Sequence, residues 1–245
     1  MIRPKYYLQK VILRRLFPGR LPLWLAKSPL ARFWNRIQVL VFPSVSGYFS
    51  QSGQDYYLHQ YLGLNQRKGR FLDIGAHDGV GISNTFFFEK ELGWQGLCVE
   101  PIPEIFKKLR VNRTAECLCA AASDTDGSAE FVILEEGKET GSHLKRDLDE
   151  DGKLSGQKTV RVQTVDIGKF LLEKNLIEFD FVSIDIEGGE LEIFEHILKS
   201  GILAHVVAME LNMDFVQMDY RMSRHGYALS AQVGADRIYQ RKIRS

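Results

Sequence analysis

From Arg70 onward, short continuous apolar runs alternate with segments whose apolar residues recur every three or four positions. The runs FLDIG, GLCVEP, ECLCAAAS and DFVSID read as buried strands, and SNTFFFEKELG, EIFKKLRVNR, Asp166 to Asn175, Glu190 to Ser200 and Asp214 to His225 as helices between them. HVVAMELN continues the strands, and YALSAQVGADRIYQRK closes the chain as an antiparallel hairpin. Strand and helix in strict alternation predict an α/β fold, a mostly parallel sheet covered by helices with its ligand site at the carboxyl ends of the strands. Between Asp124 and Val160 the pattern becomes polar and irregular, with AEFVILEEG as a strand and residues 136–158 as an excursion.

The first 46 residues follow a different rule. Leu8, Ile12, Leu13 and Leu16 share one helical face, and after Ser28-Pro29 the residues Leu30, Phe33, Trp34, Ile37, Leu40 and Val41 repeat at helical spacing until Pro43. The expected organisation is therefore a basic amphipathic helical extension over residues 1–46 and a catalytic-type domain over 47–245. Nine of the 32 basic residues stand before Asp55, where no acid occurs, so the remainder carries 23 basic against 31 acidic residues. No apolar run reaches the ~20 residues that span a bilayer. Three readings of the extension follow: packing on the domain or across a homodimer, contact with an anionic membrane surface, or a mitochondrial presequence. The acidic body argues against nucleic acid. Three cysteines without a CxxC spacing argue against a disulfide framework and fit a cytoplasmic protein, at most peripheral on the inner face of a membrane.

The chemistry concentrates in FLDIGAHDGVGISNT, residues 71–85. Its glycines run G-x-x-x-G-x-G (Gly75, Gly79, Gly81), not the G-x-G-x-x-G of dinucleotide sites. Asp73 and Asp78 would repel a pyrophosphate but attract the ammonium and sulfonium of S-adenosylmethionine, which disfavours a nicotinamide-dependent oxidoreductase. Glu100, ending the next strand, is placed to accept both ribose hydroxyls. In SIDIEGGE, Ser183, Asp185 and Glu187 alternate and are expected on one strand face. One strand later stand Glu210 and Asn212. Asp185, Glu187, Glu210 and Asn212 together form a candidate Mg²⁺ site that would acidify an acceptor hydroxyl; the alternative is that these acids brace loops. His143, in the irregular segment, is the candidate general base. His59 and His196 read as packing or surface residues, and His77 as a pocket wall.

On these motifs the chain resembles the FkbM-type S-adenosylmethionine-dependent methyltransferases. YFSQSGQD (48–55) is similar to the family's entry motif, and FLDIGAHDGVGISNT to its cofactor loop, with His77 where asparagine is usual. GWQGLCVEPIP (93–103), VQTVDI (162–167) and DFVSIDIEGGELEIFEHI (180–197) follow in the family's order, and GYALSAQVGADRIYQRK resembles its ending. The resemblance implies a class I methyltransferase fold, a Rossmann-like, mostly parallel seven-stranded sheet with an antiparallel last strand. It further implies O-methylation of a small molecule, sugar or glycan- or lipid-linked acceptor. By position, it implies that Asp73, Gly75, Asp78 and Gly79 hold the methionine end and Glu100 the ribose. Pro101 and Ile102 would flank the adenine, Ser123 or Asp124 would reach its amine, and Asp185 would lie near the methyl. Ser50, Gln51, Asp55 and Asn84 would line the acceptor pocket. A non-catalytic methyltransferase-like module, docked through its basic arm, is the competing reading.

Overall fold

The computed structural model describes residues 39–40, 46–66, 68–133, 143–144 and 158–242. The helical readings of residues 1–38 fall outside these residues. Val39–Ser245 forms one compact unit. Its first strand is β1 (Val39–Leu40), so the helical expectation at Leu40 gives way to an extended edge strand there.

The main sheet has eight strands. In chain order they are β1, β2 (Arg70–Ile74), β3 (Gln95–Val99), β4 (Glu116–Leu118), β9 (Glu178–Ile184), β10 (Leu203–Glu210), β11 (Tyr227–Val233) and β12 (Asp236–Arg241). Their spatial order is β1-β11-β12-β10-β9-β2-β3-β4. β2 pairs in parallel with both β3 and β9, so the chain reverses its direction of travel across the sheet at β2. A crevice opens at such a switch point, outside the carboxyl ends of the strands. β12 is antiparallel to β10 and β11, as expected of the closing hairpin. Without the two-residue β1, this is the seven-stranded arrangement expected from the sequence.

The period-2 rule sorts the two faces. Leu72, Ile74, Val182 and Ile184 point to one side. There they meet Ile167 and Leu171 of α4 (Ile167–Glu173), Leu191 and Phe194 of α5 (Glu190–Lys199), and Met218 and Met222 of α6 (Phe215–Arg224). Phe71, Cys98 and Phe181 point to the other side. They meet Leu58 of α1 (Gln54–Gln60), Phe88 of α2 (Phe86–Leu92) and Leu109 of α3 (Pro103–Asn112). Both faces are thus covered, which is why the central strands carry apolar residues on both sides. α2 ends on Gly93 at φ 67°, the left-handed cap expected there.

The sequence reads ECLCAAAS as one strand, but it serves two sheets. β4 ends at Leu118, whose carbonyl accepts from Glu100 N. After Cys119 and Ala120 the chain enters β5 (Ala121–Ser123) of a second, four-stranded sheet. Its other members are β6 (Gly127–Ile133), β7 (His143–Leu144) and β8 (Lys158–Asp166), in the order β5-β8-β6-β7. Phe131 and Val162 of this sheet pack against Ile102 and Ile105, forming an apolar cluster beside the crevice. Most of the 136–158 excursion lies outside the described residues. Among the described residues, no helix is long and apolar enough to cross a membrane.

Candidate functional site

The turn after β2 fixes the floor of the crevice. Gly75 and Ala76 donate to Val99 O, and Asp185 N donates to Ile74 O at 3.0 Å, which knits three strand ends together. Gly75 has φ 86°, and a Cβ there would lie 1.8 Å from the backbone oxygen of Asp185. Only glycine permits that approach. The resulting cleft encloses about 940 Å³ including its open mouth. Asp73, Gly75, His77, Asn84, Glu100, Pro101, Ile102, Ser183, Asp185 and Glu187 are among its lining residues, so the sequence-predicted cofactor and catalytic positions largely converge. Among the described lining residues are four acids and neither Lys nor Arg, which favours a cationic ligand over a pyrophosphate.

Glu100 is 5% exposed. Its Oε1 accepts from Ile102 N at 2.8 Å and its Oε2 from His77 N at 3.1 Å. Burial pushes its carboxyl up to about 7 against those two hydrogen bonds. Each oxygen keeps a further lone pair for a ligand hydroxyl. His77 holds φ 51° to bring its N–H there, and it lines the cleft as a wall. Ile102, Ile105, Ala121 and Phe131 form the apolar wall next to Glu100.

Asp73 does not present a bare charge. Its Oδ2 accepts from Thr85 Oγ1 at 2.5 Å and lies 3.7 Å from Arg113 Nη1. Arg113 is buried, and it also donates to Glu89 Oε2 (2.5 Å), Gly79 O (3.1 Å), Thr85 Oγ1 (2.9 Å) and Ser83 Oγ (3.4 Å). One arginine thus compensates two carboxylates and also holds the glycine turn from beneath. Burial raises the Asp73 carboxyl against the pull of Arg113. For Glu89, burial is outweighed by Arg113 and Thr114, and its carboxyl sits below the usual range.

Asp185 stands at the other end of the cleft. Its side chain is exposed to the open cleft, and desolvation by the surrounding walls, then the like charges of Glu210, Asp236, Glu187 and Glu190, push its carboxyl up to about 8. Asp185, Glu187 and Glu210 bring ligand oxygens within 4.8 Å of one another. Strand alternation does not achieve this, because β9 ends at Ile184 and Glu187 adopts φ 59° in the following loop. Asn212 braces this group, donating through Nδ2 to Glu190 Oε1 (2.9 Å) and Glu210 Oε2 (2.8 Å).

Several expected residues serve the scaffold instead. Asp78 Oδ1 accepts from Val80 N and Gly81 N, closing its own turn rather than lining the cleft. Gly79, at φ 82°, packs on Leu109 and Arg113. Asp55 is fully buried and accepts from Phe49 N, Ser50 N, Ser50 Oγ and Tyr56 N, so it folds the entry loop. Ser50 bridges to Ile82 at the cleft mouth, and Gln51 is exposed beside it. Ser123 and Asp124 bond each other beyond the lining alanines 120–122. His143 pairs through its backbone with Val132, and its side chain lies outside the described part. His59 accepts or donates at Tyr48 Oη, and His196 bonds Asp166, both packing roles as expected.

Sequence reasoning missed Arg113, Gln54 and Asp236. Gln54 Nε2 and Asn84 Nδ2 both donate to Asp236 Oδ2 at 3.1 Å. No local pattern marks these residues, since their partners lie 182 and 152 positions away.

A family model for the Methyltransferase FkbM domain matches residues 73–229. Among solved structures, the chain is similar to the methyltransferase FkbM of Methylobacillus flagellatus KT (13% identity, TM-score 0.46), covering 76% of this chain and 47% of that one. This chain therefore spans just under half of that longer protein. It is also similar to the precorrin-6y C5,15-methyltransferase of Geobacter metallireducens GS-15 (13% identity, TM-score 0.43, 81% and 91% covered). A third is M. capricolum TrmK in complex with S-adenosylhomocysteine (10% identity, TM-score 0.41, 76% and 66% covered). No curated protein matches the chain. The family match covers well over half of the 245 residues and includes the glycine turn, Glu100 and the Asp185 loop, and the chain belongs to the FkbM family of S-adenosylmethionine-dependent methyltransferases.

Proposed function

We propose that the chain transfers the methyl group of S-adenosylmethionine to a hydroxyl oxygen of a small molecule, a sugar, or a glycan- or lipid-linked acceptor. The observation that carries this reading is one acid-lined cleft with Glu100 and an apolar wall at one end and Asp185 at the other. The cofactor, when bound, supplies an electrophilic methyl carbon on a cationic sulfur. The free lone pairs of Glu100 suit the ribose diol, and Ile102, Ile105 and Phe131 suit a flat apolar ring such as adenine. Gly75, with no side chain, lets the Asp185 backbone close against the floor of the cleft.

A hydroxyl is a weak nucleophile, and its proton needs a destination. Asp185, raised to about 8, is matched to receive a proton near neutral pH. With the cofactor bound, its methyl would pass to the acceptor oxygen and it would leave as the neutral thioether, while Asp185 would take the hydroxyl proton. Asp185, Glu187 and Glu210 also fit a Mg²⁺ ion, which would lower the pKa of a bound hydroxyl. The test is transfer of labelled methyl from S-adenosylmethionine to a panel of sugars and lipid-linked glycans, with and without EDTA. Asp185→Asn is expected to lower turnover by about 10²-fold or more. Label found on nitrogen or carbon of the acceptor would overturn the O-methyl reading. Turnover unaffected by EDTA would overturn the metal role and leave Asp185 acting as base alone.

A further inference from the structure

Asn84 is only 8% exposed, yet it lines the cleft. Its amide nitrogen donates to Ser183 Oγ and to Asp236 Oδ2, each at 3.1 Å. Both of its N–H donors are therefore spent inside the protein. Its carbonyl oxygen Oδ1 is buried and meets no donor among the described residues. A buried acceptor left unbonded is costly, so an arrangement that imposes one calls for a reason.

The imposing group is Asp236, itself 5% exposed, which accepts through the same oxygen from Gln54 Nε2 at 3.1 Å. A carboxylate only accepts, so it fixes the amide nitrogen toward itself and the carbonyl away. The opposite rotamer would set carbonyl oxygen against carboxylate. The hairpin turn is seated on the entry loop, since a Cβ at Gly234 would lie 2.2 Å from Ser52 Oγ. Ser183 pairs in register with Asp73 and lies two residues before Asp185, which sets the amide at the Asp185 end of the cleft.

We propose that Asn84 Oδ1 is a fixed acceptor for the O–H or N–H that a ligand brings to the point of methyl transfer, with Asp236 and Gln54 as the positioning pair that holds it. This rests on the methyltransferase reading above and narrows it. The attacking atom must carry a hydrogen, so on the O-methyl reading a hydroxyl qualifies, whereas a carboxylate does not. With its hydrogen directed to Oδ1, such an atom turns a lone pair toward the methyl carbon. Asn84 stays neutral throughout, since an amide is no base; the proton passes to the Asp185 carboxylate as the bond to carbon forms.

The test needs no knowledge of the acceptor. Sinefungin carries an amine where the cofactor carries its methylsulfonium, and S-adenosylhomocysteine carries nothing there. Calorimetric titration of the full chain is expected to give a preference for sinefungin of about tenfold or more, the size of one charge-assisted hydrogen bond. In Asn84→Leu the preference is expected to shrink at least about fivefold. In Asp236→Asn, where residue 236 can donate as well as accept, it is expected to shrink about twofold or more as the Asn84 amide loses its fixed orientation. A structural role alone would weaken both ligands and leave their ratio in place. A wild-type chain without the preference, or folded variants that keep it, would overturn the inference; if Asn84→Leu does not fold, Asp236→Asn decides. Failure of both analogues to bind the folded wild-type chain would overturn the methyltransferase reading, and the inference with it.

Discussion

Arg113 provides the sharpest test of how the cofactor turn is held. Its side chain is fully buried, between Glu89 at 2.5 Å and Asp73 at 3.7 Å, with hydrogen bonds to Gly79 O and Thr85 Oγ1. Arg113→Met keeps the stem that packs beneath Gly79 and removes the charge. Glu89 retains Thr114 and Ala115 as donors, but Asp73 is left with Thr85 alone. Removing one partner of a buried ion pair typically costs about 3–5 kcal/mol. For a domain of this size that is a fall in Tm of roughly 6–20 °C. The sign of its pH dependence follows from the two acids. Glu89, held below its ordinary value by Arg113, loses in the variant a stabilisation that is present only above the unfolded pKa. Asp73, already raised, rises further, and its penalty grows as pH climbs through its folded pKa. Both make the deficit larger at about pH 8 than at about pH 5. Urea unfolding at the two pH values measures it, and Glu89→Gln in the same chain should recover part of the loss, revealing the coupling. A deficit below about 1 kcal/mol, or one that grows at low pH, would refute this account of the turn.

Other consequences concern the ligand and the glycines. Because burial lifts Glu100 to about 7 and the ribose hydroxyls need an ionised acceptor, affinity for S-adenosylmethionine should rise with pH through about 7 and then level off, with Glu100→Gln flattening the profile. The same group should stabilise the ligand-free fold below its ordinary value of 4.5 and lose that contribution as pH rises toward about 7, as measured by ligand-free melting curves. Gly75→Ala, forced against the Asp185 backbone at positive φ, should cost at least about 2 kcal/mol and abolish binding. Gly81→Ala should cost less than about 1 kcal/mol, since its Cβ would meet the Asp78 carboxylate no nearer than 3.5 Å; equal losses at the two glycines would contradict the geometry.

What the sequence made legible was local. The run FLDIG, the glycines and Glu100 one strand later all act within a single strand–turn–strand unit, where chain spacing and spatial spacing coincide. Gly93 and Asp214 were readable as a helix end and a helix start for the same reason. Arg113 was not, because EIFKKLRVNR carries four basic residues of which one turns inward, and the carboxylates that permit its burial come from 24 and 40 positions earlier. Asp236, the first residue of β12, was hidden for want of any sign that Gln54 and Asn84 would meet it. Three of the grouped acids, Asp185, Glu187 and Glu210, do lie close together, but not by the expected geometry. Asp185 and Glu187 converge because a loop with Glu187 at φ 59° follows the strand, which period-2 alternation does not anticipate. Asp78 shows why such an acid is ambiguous in sequence, since an acid in a glycine turn can serve the turn's own N–H groups as well as a ligand.

The central claim is that this cleft binds S-adenosylmethionine through Glu100. Its most direct test is calorimetric titration of the folded chain with S-adenosylmethionine, with NAD as the comparison and Glu100→Ala as the variant. The account predicts saturable one-site binding, no NAD signal, and a loss of about tenfold to hundredfold in the variant. No binding by the folded chain, or binding that survives Glu100→Ala undiminished, would contradict it.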